Sequence, residues 1–293
     1  MASPSNKQLA AGGGALPVVI EPARLPLGVV IRFKNSARTL PAVLAALRAQ
    51  TLQPDFILGV DSGSTDGSPA LLQDAGAVIV QWAAPYHHSK VLNFALARCP
   101  AERVLVLSSH TVLVATDALA KLNAALDDPL TACASAKWTP DTYYSDAITW
   151  RELTAKGLKL AAIYSNSFGL LRRAWWEELP FDETAPGMED YIWAVAQVHR
   201  GRVCRLVEFE FSYQRQAHTR DFILATCAFR LASQHGLRIR WLGVKHSLRQ
   251  ILRLSLAVLR SHPCRDDITK LRLVRDHLAG ALLWRFSRAT TDD

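Results

Sequence analysis

Between Leu27 and Ala136 the sequence alternates short apolar runs with segments of helical periodicity. The apolar runs are rich in β-branched residues, which is typical of parallel strands that are buried on both faces. The segment 39–50 carries apolar residues at positions i, i+3, i+4 and i+7, so it predicts a helix with one apolar face. Because strands that alternate with helices form parallel βαβ units, we predict an α/β fold with a mostly parallel central sheet flanked by helices. The predicted strands are 28–33, 56–60, 77–82, 104–107 and 132–136, and the predicted helices are 39–50, 67–75, 89–97 and one capped by Asp117.

The length and composition fit one catalytic domain with appended segments. The 293 residues are 49% hydrophobic, which favours a folded domain over a disordered chain. We expect a flexible leader over 1–26, a catalytic domain over 27–215 and a C-terminal helical region over 216–293. No apolar stretch approaches the roughly 18 residues of a spanning helix, and the cysteines form no CxxC pair. These features predict a cytoplasmic protein, either soluble or peripheral at the inner face of the membrane.

Polar residues follow two of the predicted strands at the points where those strands end. The run 104–107 stops abruptly at Ser108, Ser109 and His110, and Asp61 opens the sequence DSGSTDG after the second strand. Ligands of open α/β sheets bind at this carboxyl edge. The DSGSTDG segment is equally consistent with a nucleotide contact and with an Asx or Ser/Thr turn before the next helix. A Rossmann dinucleotide site is disfavoured, because the turn after the first strand contains no glycine.

Two further segments carry charged residues that suit binding or catalysis. Lys90 stands near the start of the third predicted helix, where it would either meet a phosphate or remain solvated. Glu189 and Asp190 open a helix that ends near His199. Acids in a first turn complement the helix dipole by about 0.3–1 kcal/mol. They also follow a loop that begins at Phe181, and an acid presented by such a loop is suited to act as a general base.

The ordered set of these segments resembles a family 2 glycosyltransferase, and in particular its bacterial rhamnosyltransferase-like members. The resemblance implies the GT-A nucleotide-diphospho-sugar transferase fold with a C-terminal helical extension. It also implies an inverting enzyme that moves a sugar from a nucleotide-diphosphate donor to a hydroxyl of a glycan or lipid-linked acceptor. The resembling segments are VVIRFKNSARTLPAVLAALRAQT, LGVDSGSTDGS, HHSKVLNFALA, VLVLSSHTV, SNSFGLLRRAWWEELPFDE and PGMEDYIWA, within about 27–202.

The same resemblance assigns roles to particular residues. The aspartate that contacts the nucleotide base corresponds to Asp61, and the catalytic base corresponds to Asp190, with Glu189 beside it. We expect the donor to be bound by a set of residues that are spread over the first two thirds of the chain. These are Lys34, Asp61, Lys90, Ser108, Ser109, His110, Asn166 and Arg172.

The metal-binding DXD motif of the family corresponds to Ser-Ser-His at 108–110, so the chain departs from the pattern here. Carboxylates at this place hold Mn²⁺ or Mg²⁺ against the diphosphate. Serine is a weak ligand, and imidazole suits Mn²⁺ better than Mg²⁺. Three alternatives follow: His110 binds a metal ion, cations such as Lys90 and Arg172 replace the metal, or the protein is a catalytically silent binder of nucleotide sugars or carbohydrates. The two intact aspartates favour an enzyme.

The C-terminal segment 244–260 places leucines and an isoleucine on one helical face and basic residues on another. This basic amphipathic helix would either bind an anionic membrane surface or pack on the catalytic domain. The net charge of +8 favours anionic partners. We do not expect a nucleic-acid partner, because the sequence shows no recognisable reading helix or aromatic basic sheet.

Overall fold

The computed structural model describes residues 25–137, 143–158, 163–185, 187–213, 231–232 and 234–237. No helix within these ranges is long and apolar enough to cross a membrane. The predicted leader lies outside them except for its last two residues, and the predicted basic helix at 244–260 lies outside them entirely.

The described chain is built around one eight-stranded sheet and a separate two-stranded ribbon. The strands are β1 (Leu25–Phe33), β2 (Phe56–Asp61), β3 (Val78–Gln81), β4 (Ala101–Ser108), β5 (Thr111–Leu113), β6 (Thr131–Ala136), β7 (Ala147–Ile148), β8 (Phe168–Arg172), β9 (Val203–Val207) and β10 (Phe211–Tyr213). The helices are α1 (Leu40–Arg48), α2 (Ser68–Asp74), α3 (His88–Arg98), α4 (Ala118–Ala125), α5 (Trp150–Lys156), α6 (Arg173–Glu178) and α7 (Glu189–His199). The sheet order is β3-β2-β1-β4-β8-β6-β9-β7, and β5 pairs with β10.

The first four strands are parallel, as the alternation of strands and helices predicts. In the register of these strands, Arg32 on β1 lies between Val60 on β2 and Ser108 on β4. The carboxyl ends of β1, β2 and β4 therefore meet at one edge of the sheet. The polar residues that follow each strand are gathered at this edge.

Strand β8 interrupts the parallel series, and neither its place in the sheet nor its direction was predicted. It runs antiparallel to both β4 and β6, so β6 is not the direct neighbour of β4. Because Phe168 pairs with Leu107 and Arg172 pairs with Arg103, the start of β8 lies beside the carboxyl end of β4. The residues just before β8 therefore reach the polar edge of the sheet, and Arg172 lies at the opposite edge.

The core lies on both faces of the sheet, because successive residues of a strand point to opposite sides. On β1, Val30 faces α3 and α7, and Ile31 faces α1 and α4. The apolar face predicted for 39–50 is buried in α1 as expected. The prediction that Asp117 caps α4 is not met by its side chain. Its carboxylate pairs with Lys121 and makes no capping hydrogen bond to the helix.

Candidate active site

The carboxyl edge of the parallel strands opens into a cleft of about 920 Å³. This volume lies within the range of about 300–1,000 Å³ that is typical of ligand sites. The walls come from the ends of β1 and β4, the loop before α3, the segment before β8 and the first turn of α7. The lining residues are Arg32, Phe33, Lys34, Asn35, Ser36, Ser62, Trp82, Ala83, Ala84, Pro85, Tyr86, His88, Ser108, Ser109, His110, Asn166, Ser167, Glu189, Asp190 and Tyr213.

One wall of the cleft carries the two acids of α7. The Asp190 carboxylate accepts hydrogen bonds from the backbone N–H groups of Asn166, at 3.0 Å, and Tyr191, at 2.8 Å. Glu189 is only 6% exposed, and its Oε1 lies 3.4 Å from Asn166 Nδ2 and 3.9 Å from His88 Nδ1. The turn before the helix has a left-handed residue, Met188, with φ at 59°. Backbone contacts thus fix the orientation of Asp190 while the group still lines the cleft.

The surroundings of Asp190 favour its protonated form. Burial and then the neighbouring carboxylate of Glu189 raise the pKa of this carboxyl, which is about 7. The hydrogen bonds from Asn166 and Tyr191 and the charge of Arg32 oppose this rise. A carboxyl group with a pKa near neutral pH can accept a proton in one step and release it in the next.

The opposite wall, at the end of β4, carries the three residues at the DXD position. Ser108 and Ser109 are buried. The Ser108 hydroxyl lies 3.1 Å from the ring nitrogens of His110, and the Ser109 hydroxyl lies 2.9 Å from that of Ser36. Burial and then the positive charge of Arg32 lower the pKa of His110, so its imidazole is neutral at physiological pH. This wall therefore presents hydroxyls and a neutral ring to the cleft.

The described residues form no ready-made site for a divalent metal ion. Within the described ranges no group of three or more His, Cys, Asp or Glu side chains is arranged to hold one. The hydroxyls of Ser108 and Ser109 are engaged with neighbouring side chains, and the carboxylate of Asp190 is engaged with backbone N–H groups. The metal-binding role expected of His110 stays a prediction.

Arg32 is the main residue of the cleft that the sequence reasoning missed. Its guanidinium reaches Tyr86 Oη and His88 Nδ1, both at 3.3 Å, and the backbone carbonyl of Asn166 at 3.2 Å. The signal in the sequence was a lone arginine inside the apolar run GVVIRF. That signal is weak, because these partners lie 54 to 134 positions away along the chain.

Asp61 lies at the carboxyl end of β2, but it is only 2% exposed and does not line the cleft. Its Oδ1 accepts hydrogen bonds from the N–H and the hydroxyl of Ser64, at 2.8 and 2.7 Å, and its Oδ2 accepts one from Gln81. Its carboxylate thus forms the turn that the sequence offered as an alternative to a nucleotide contact. Its neighbour Ser62 does line the cleft.

The three predicted cations are distributed differently. Lys34 is exposed and lines the cleft. Lys90 is exposed on α3 and does not line it. Arg172 points away, because β8 is antiparallel and its end lies at the far edge of the sheet. There its guanidinium donates to the carbonyls of Thr131, Leu126 and Asp128. The expectation that Lys90 and Arg172 bind the donor in this cleft does not fit their positions.

Comparison with known proteins identifies the family. Residues 28–187 match the family described as glycosyl transferase family 2, which is more than half of the chain. The chain belongs to this family. The resemblance drawn from the sequence segments is therefore confirmed, and the predicted class, a glycosyltransferase, is confirmed at the level of the family.

A curated relative points in the same direction. The chain is 26% identical over 195 residues to the O-antigen chain rhamnosyltransferase RfbN of Salmonella typhimurium. The matched region is 60% of this chain and spans 62% of the length of that relative.

Solved structures of similar shape show the GT-A fold. The mannosyltransferase PcManGT of Pyrobaculum calidifontis, in complex with GDP-Man and Mn²⁺, is 18% identical with a TM-score of 0.56, covering 92% of this chain and 76% of that chain. Glucosyl-3-phosphoglycerate synthase of Mycobacterium tuberculosis is 17% identical with a TM-score of 0.57, covering 75% and 83%. The predicted fold class is thus confirmed.

Proposed function

We propose that this protein is an inverting glycosyltransferase, which moves a sugar from a nucleoside-diphosphate donor to a hydroxyl group of a glycan or lipid-linked acceptor. The observation that carries the proposal is Asp190, an oriented carboxyl in the cleft with a pKa raised to about 7. Membership of glycosyl transferase family 2 and the position of the cleft at the carboxyl edge of the sheet support it. The O-antigen relative favours an acceptor in polysaccharide biosynthesis.

In the proposed reaction Asp190 acts as the general base. Its carboxylate takes the proton of the acceptor hydroxyl while that oxygen forms a bond to the anomeric carbon. The bond between the anomeric carbon and the diphosphate oxygen breaks, and its electron pair stays with that oxygen. Because attack comes from the side opposite the leaving group, one displacement inverts the anomeric configuration. The products are the glycoside and a nucleoside diphosphate, and the proton remains on Asp190.

The other residues of the cleft position the reactants. The backbone N–H of Asn166 fixes one oxygen of Asp190, which leaves a defined direction for proton transfer. Glu189 keeps the pKa of Asp190 high, so that the base is poised near neutral pH. Lys34 stands where it can meet the charged donor, and Asp61 shapes the turn that presents Ser62 to the nucleoside.

Replacement of the base tests the proposal. The full chain would be screened with UDP-, GDP- and dTDP-sugars, with water as the acceptor, and nucleoside diphosphate release would be measured. Asp190→Asn should lower the rate by about 10²–10⁴-fold, while nucleoside diphosphate affinity should change by less than about threefold. Asp74→Asn is the matched control, because Asp74 is exposed on α2 away from the cleft. Turnover by Asp190→Asn close to that of wild type would rule out the assignment.

A second candidate function is a non-catalytic binder of nucleotide sugars. The specific observation in its favour is the wall at 108–110, which offers no carboxylate at the DXD position. The same screen separates the two candidates. Saturable binding of a donor with no release of nucleoside diphosphate, in either EDTA or Mn²⁺, would favour the binder. Release of nucleoside diphosphate together with a free sugar whose anomeric configuration is opposite to that of the donor would favour the inverting enzyme. NMR recorded before mutarotation identifies the anomer.

A further inference from the structure

The strongest unassigned feature of the cleft is the guanidinium of Arg32. It lies at the end of β1, directly beside Ser108 in the register of the sheet, and on its other side it reaches the carbonyl of Asn166. It therefore stands between the wall at 108–110 and the acids of α7. Its charge acts on both, since it lowers the pKa of His110 and opposes the rise in the pKa of Asp190.

The contacts of Arg32 leave much of its hydrogen-bonding capacity unused. A guanidinium has five N–H donors, and here the two terminal nitrogens make contacts of 3.2–3.3 Å with a phenol, an imidazole and a carbonyl. Its Nε is buried and has no partner. Among the described residues Arg32 makes no direct ion pair, and the nearest oxygen of Glu189 lies 3.9 Å from His88 Nδ1. Burial opposes the charged form of Arg32, but Tyr86 and the carboxylates of Glu189 and Asp190 raise its pKa above the ordinary value, so the guanidinium stays charged. Its remaining N–H donors suit an incoming anionic group.

We propose that Arg32 binds the diphosphate of the donor and takes the charge-neutralising role of a divalent ion, so that transfer proceeds without a metal. This inference rests on the proposed function. When the bond from the anomeric carbon to the diphosphate oxygen breaks, that oxygen keeps the electron pair and gains negative charge. The guanidinium N–H groups donate to the diphosphate oxygens and stabilise this charge. Arginine suits the task, because its planar fork can hold two oxygens at once and stays charged.

The wall at the end of β4 is consistent with this role. A second cation beside the guanidinium would be repelled, and the imidazole of His110 is kept neutral by burial and by Arg32 itself. The hydroxyls of Ser108 and Ser109 are small and uncharged, so they leave space for the diphosphate beside Arg32. Carboxylates at these positions would instead pair with Arg32 and occupy its free donors.

Calorimetric titration of the full chain with UDP, GDP and dTDP tests the inference, and the nucleotide that binds best is then compared with its nucleoside. Arg32→Met should weaken binding of the nucleoside diphosphate by about 10- to 100-fold and binding of the nucleoside by less than about threefold. Arg32→Lys keeps the charge and should lose less affinity for the diphosphate. Arg48→Met is the control, since Arg48 is exposed at the end of α1 and does not line the cleft. Thermal unfolding of each variant verifies that it folds.

The metal is tested in parallel on the wild-type protein. We expect its affinity for the nucleoside diphosphate in EDTA and in Mn²⁺ to agree within about threefold, and donor turnover to persist in EDTA. A tenfold gain in affinity with Mn²⁺ would overturn the inference. So would an Arg32→Met variant that loses affinity equally for diphosphate and nucleoside, or two Arg32 variants that both keep the wild-type affinity. Diphosphate binding without turnover would contradict the proposed function alone. Failure of every diphosphate to bind the wild-type protein would contradict both.

Discussion

The two edges of the central sheet hold arginine in opposite ways. At the carboxyl edge, Arg32 contacts Tyr86, His88 and the carbonyl of Asn166 at 3.2–3.3 Å, and its Nε has no hydrogen-bond partner. At the far edge, Arg172 donates to the carbonyls of Thr131, Leu126 and Asp128, which follow α4 or belong to β6. The second arginine completes the hydrogen bonding of the backbone, while the first is left with capacity for a ligand. The two arginines therefore differ in hydrogen-bond saturation, although both stand near strand ends.

The carboxylates at the two edges also differ, because the pKa of one is lowered and the pKa of the other is raised. At the far edge, a hydrogen bond from the backbone N–H of Leu130 and then one from Arg205 lower the pKa of Asp128. In the cleft, burial and Glu189 raise that of Asp190 to about 7. An acid at the far edge is held as an anion, whereas the acid in the cleft is close to balance between its two forms.

The largest effect that we expect at the far edge is on stability. Arg172→Met removes donors from three carbonyls, at about 1 kcal/mol for each lost hydrogen bond. The free energy of unfolding should fall by about 2–3 kcal/mol, seen as a Tm lower by about 5 °C or more. Affinity for nucleoside diphosphates should change by less than about twofold. A tenfold weaker affinity in a folded variant would erase the distinction between the two arginines.

Replacement of Glu189 tests whether this residue raises the pKa of Asp190. Glu189→Gln deletes a negative charge that raises the pKa of Asp190, so the midpoint of the acid limb of kcat/KM should move from about 7 to roughly one pH unit lower. Relative to its own plateau, the variant should then be about tenfold more active than wild type at low pH. Glu183→Gln is the control, because Glu183 is exposed and contacts Asn93 outside the cleft. If the acid limb of kcat/KM in Glu189→Gln keeps the wild-type midpoint, as it should in the control, then Glu189 does not raise the pKa of Asp190.

The raised pKa of Asp190 also makes stability depend on pH. Its folded-state pKa of about 7 lies above the unfolded value of 3.8, so the folded protein binds the proton more tightly. The contribution is complete below the unfolded value and is lost as pH rises toward the folded value. The Tm of wild type minus that of Asp190→Asn should therefore decrease between pH 4 and 7 and level off above pH 8. A difference that grows with pH would mean that the pKa is lowered by folding.

The smallest effect is expected at the wall that ends β4. The ring of His110 contacts the hydroxyl of Ser108 and lies 5.1 Å from the ring of Tyr213. His110→Gln keeps a hydrogen-bonding side chain there, so turnover should change by less than about threefold in both EDTA and Mn²⁺. A loss that appears only in Mn²⁺ would show that the imidazole serves as a metal ligand.

Much of the fold could be read from local pattern, and the errors have one cause. Apart from the short strand β5, which was not predicted, the strands and helices up to α4 appear within a few residues of the predicted bounds, because each depends on its own apolar periodicity. Arg172 was expected to bind the donor, but the direction of β8 places it at the opposite edge of the sheet. That direction is set by pairing with β4 and β6.

The sequence by itself determined the alternation of strands and helices, the polar residues at the ends of β2 and β4, and the two acids that open α7. These depend on neighbours within a few positions, so local chemistry encodes them. Only the tertiary structure decided which of these groups share a cleft. It left the Nε of Arg32 without a hydrogen-bond partner and raised the pKa of Asp190, because desolvation and hydrogen-bond saturation depend on residues that are far apart in the chain and meet only when the sheet has formed.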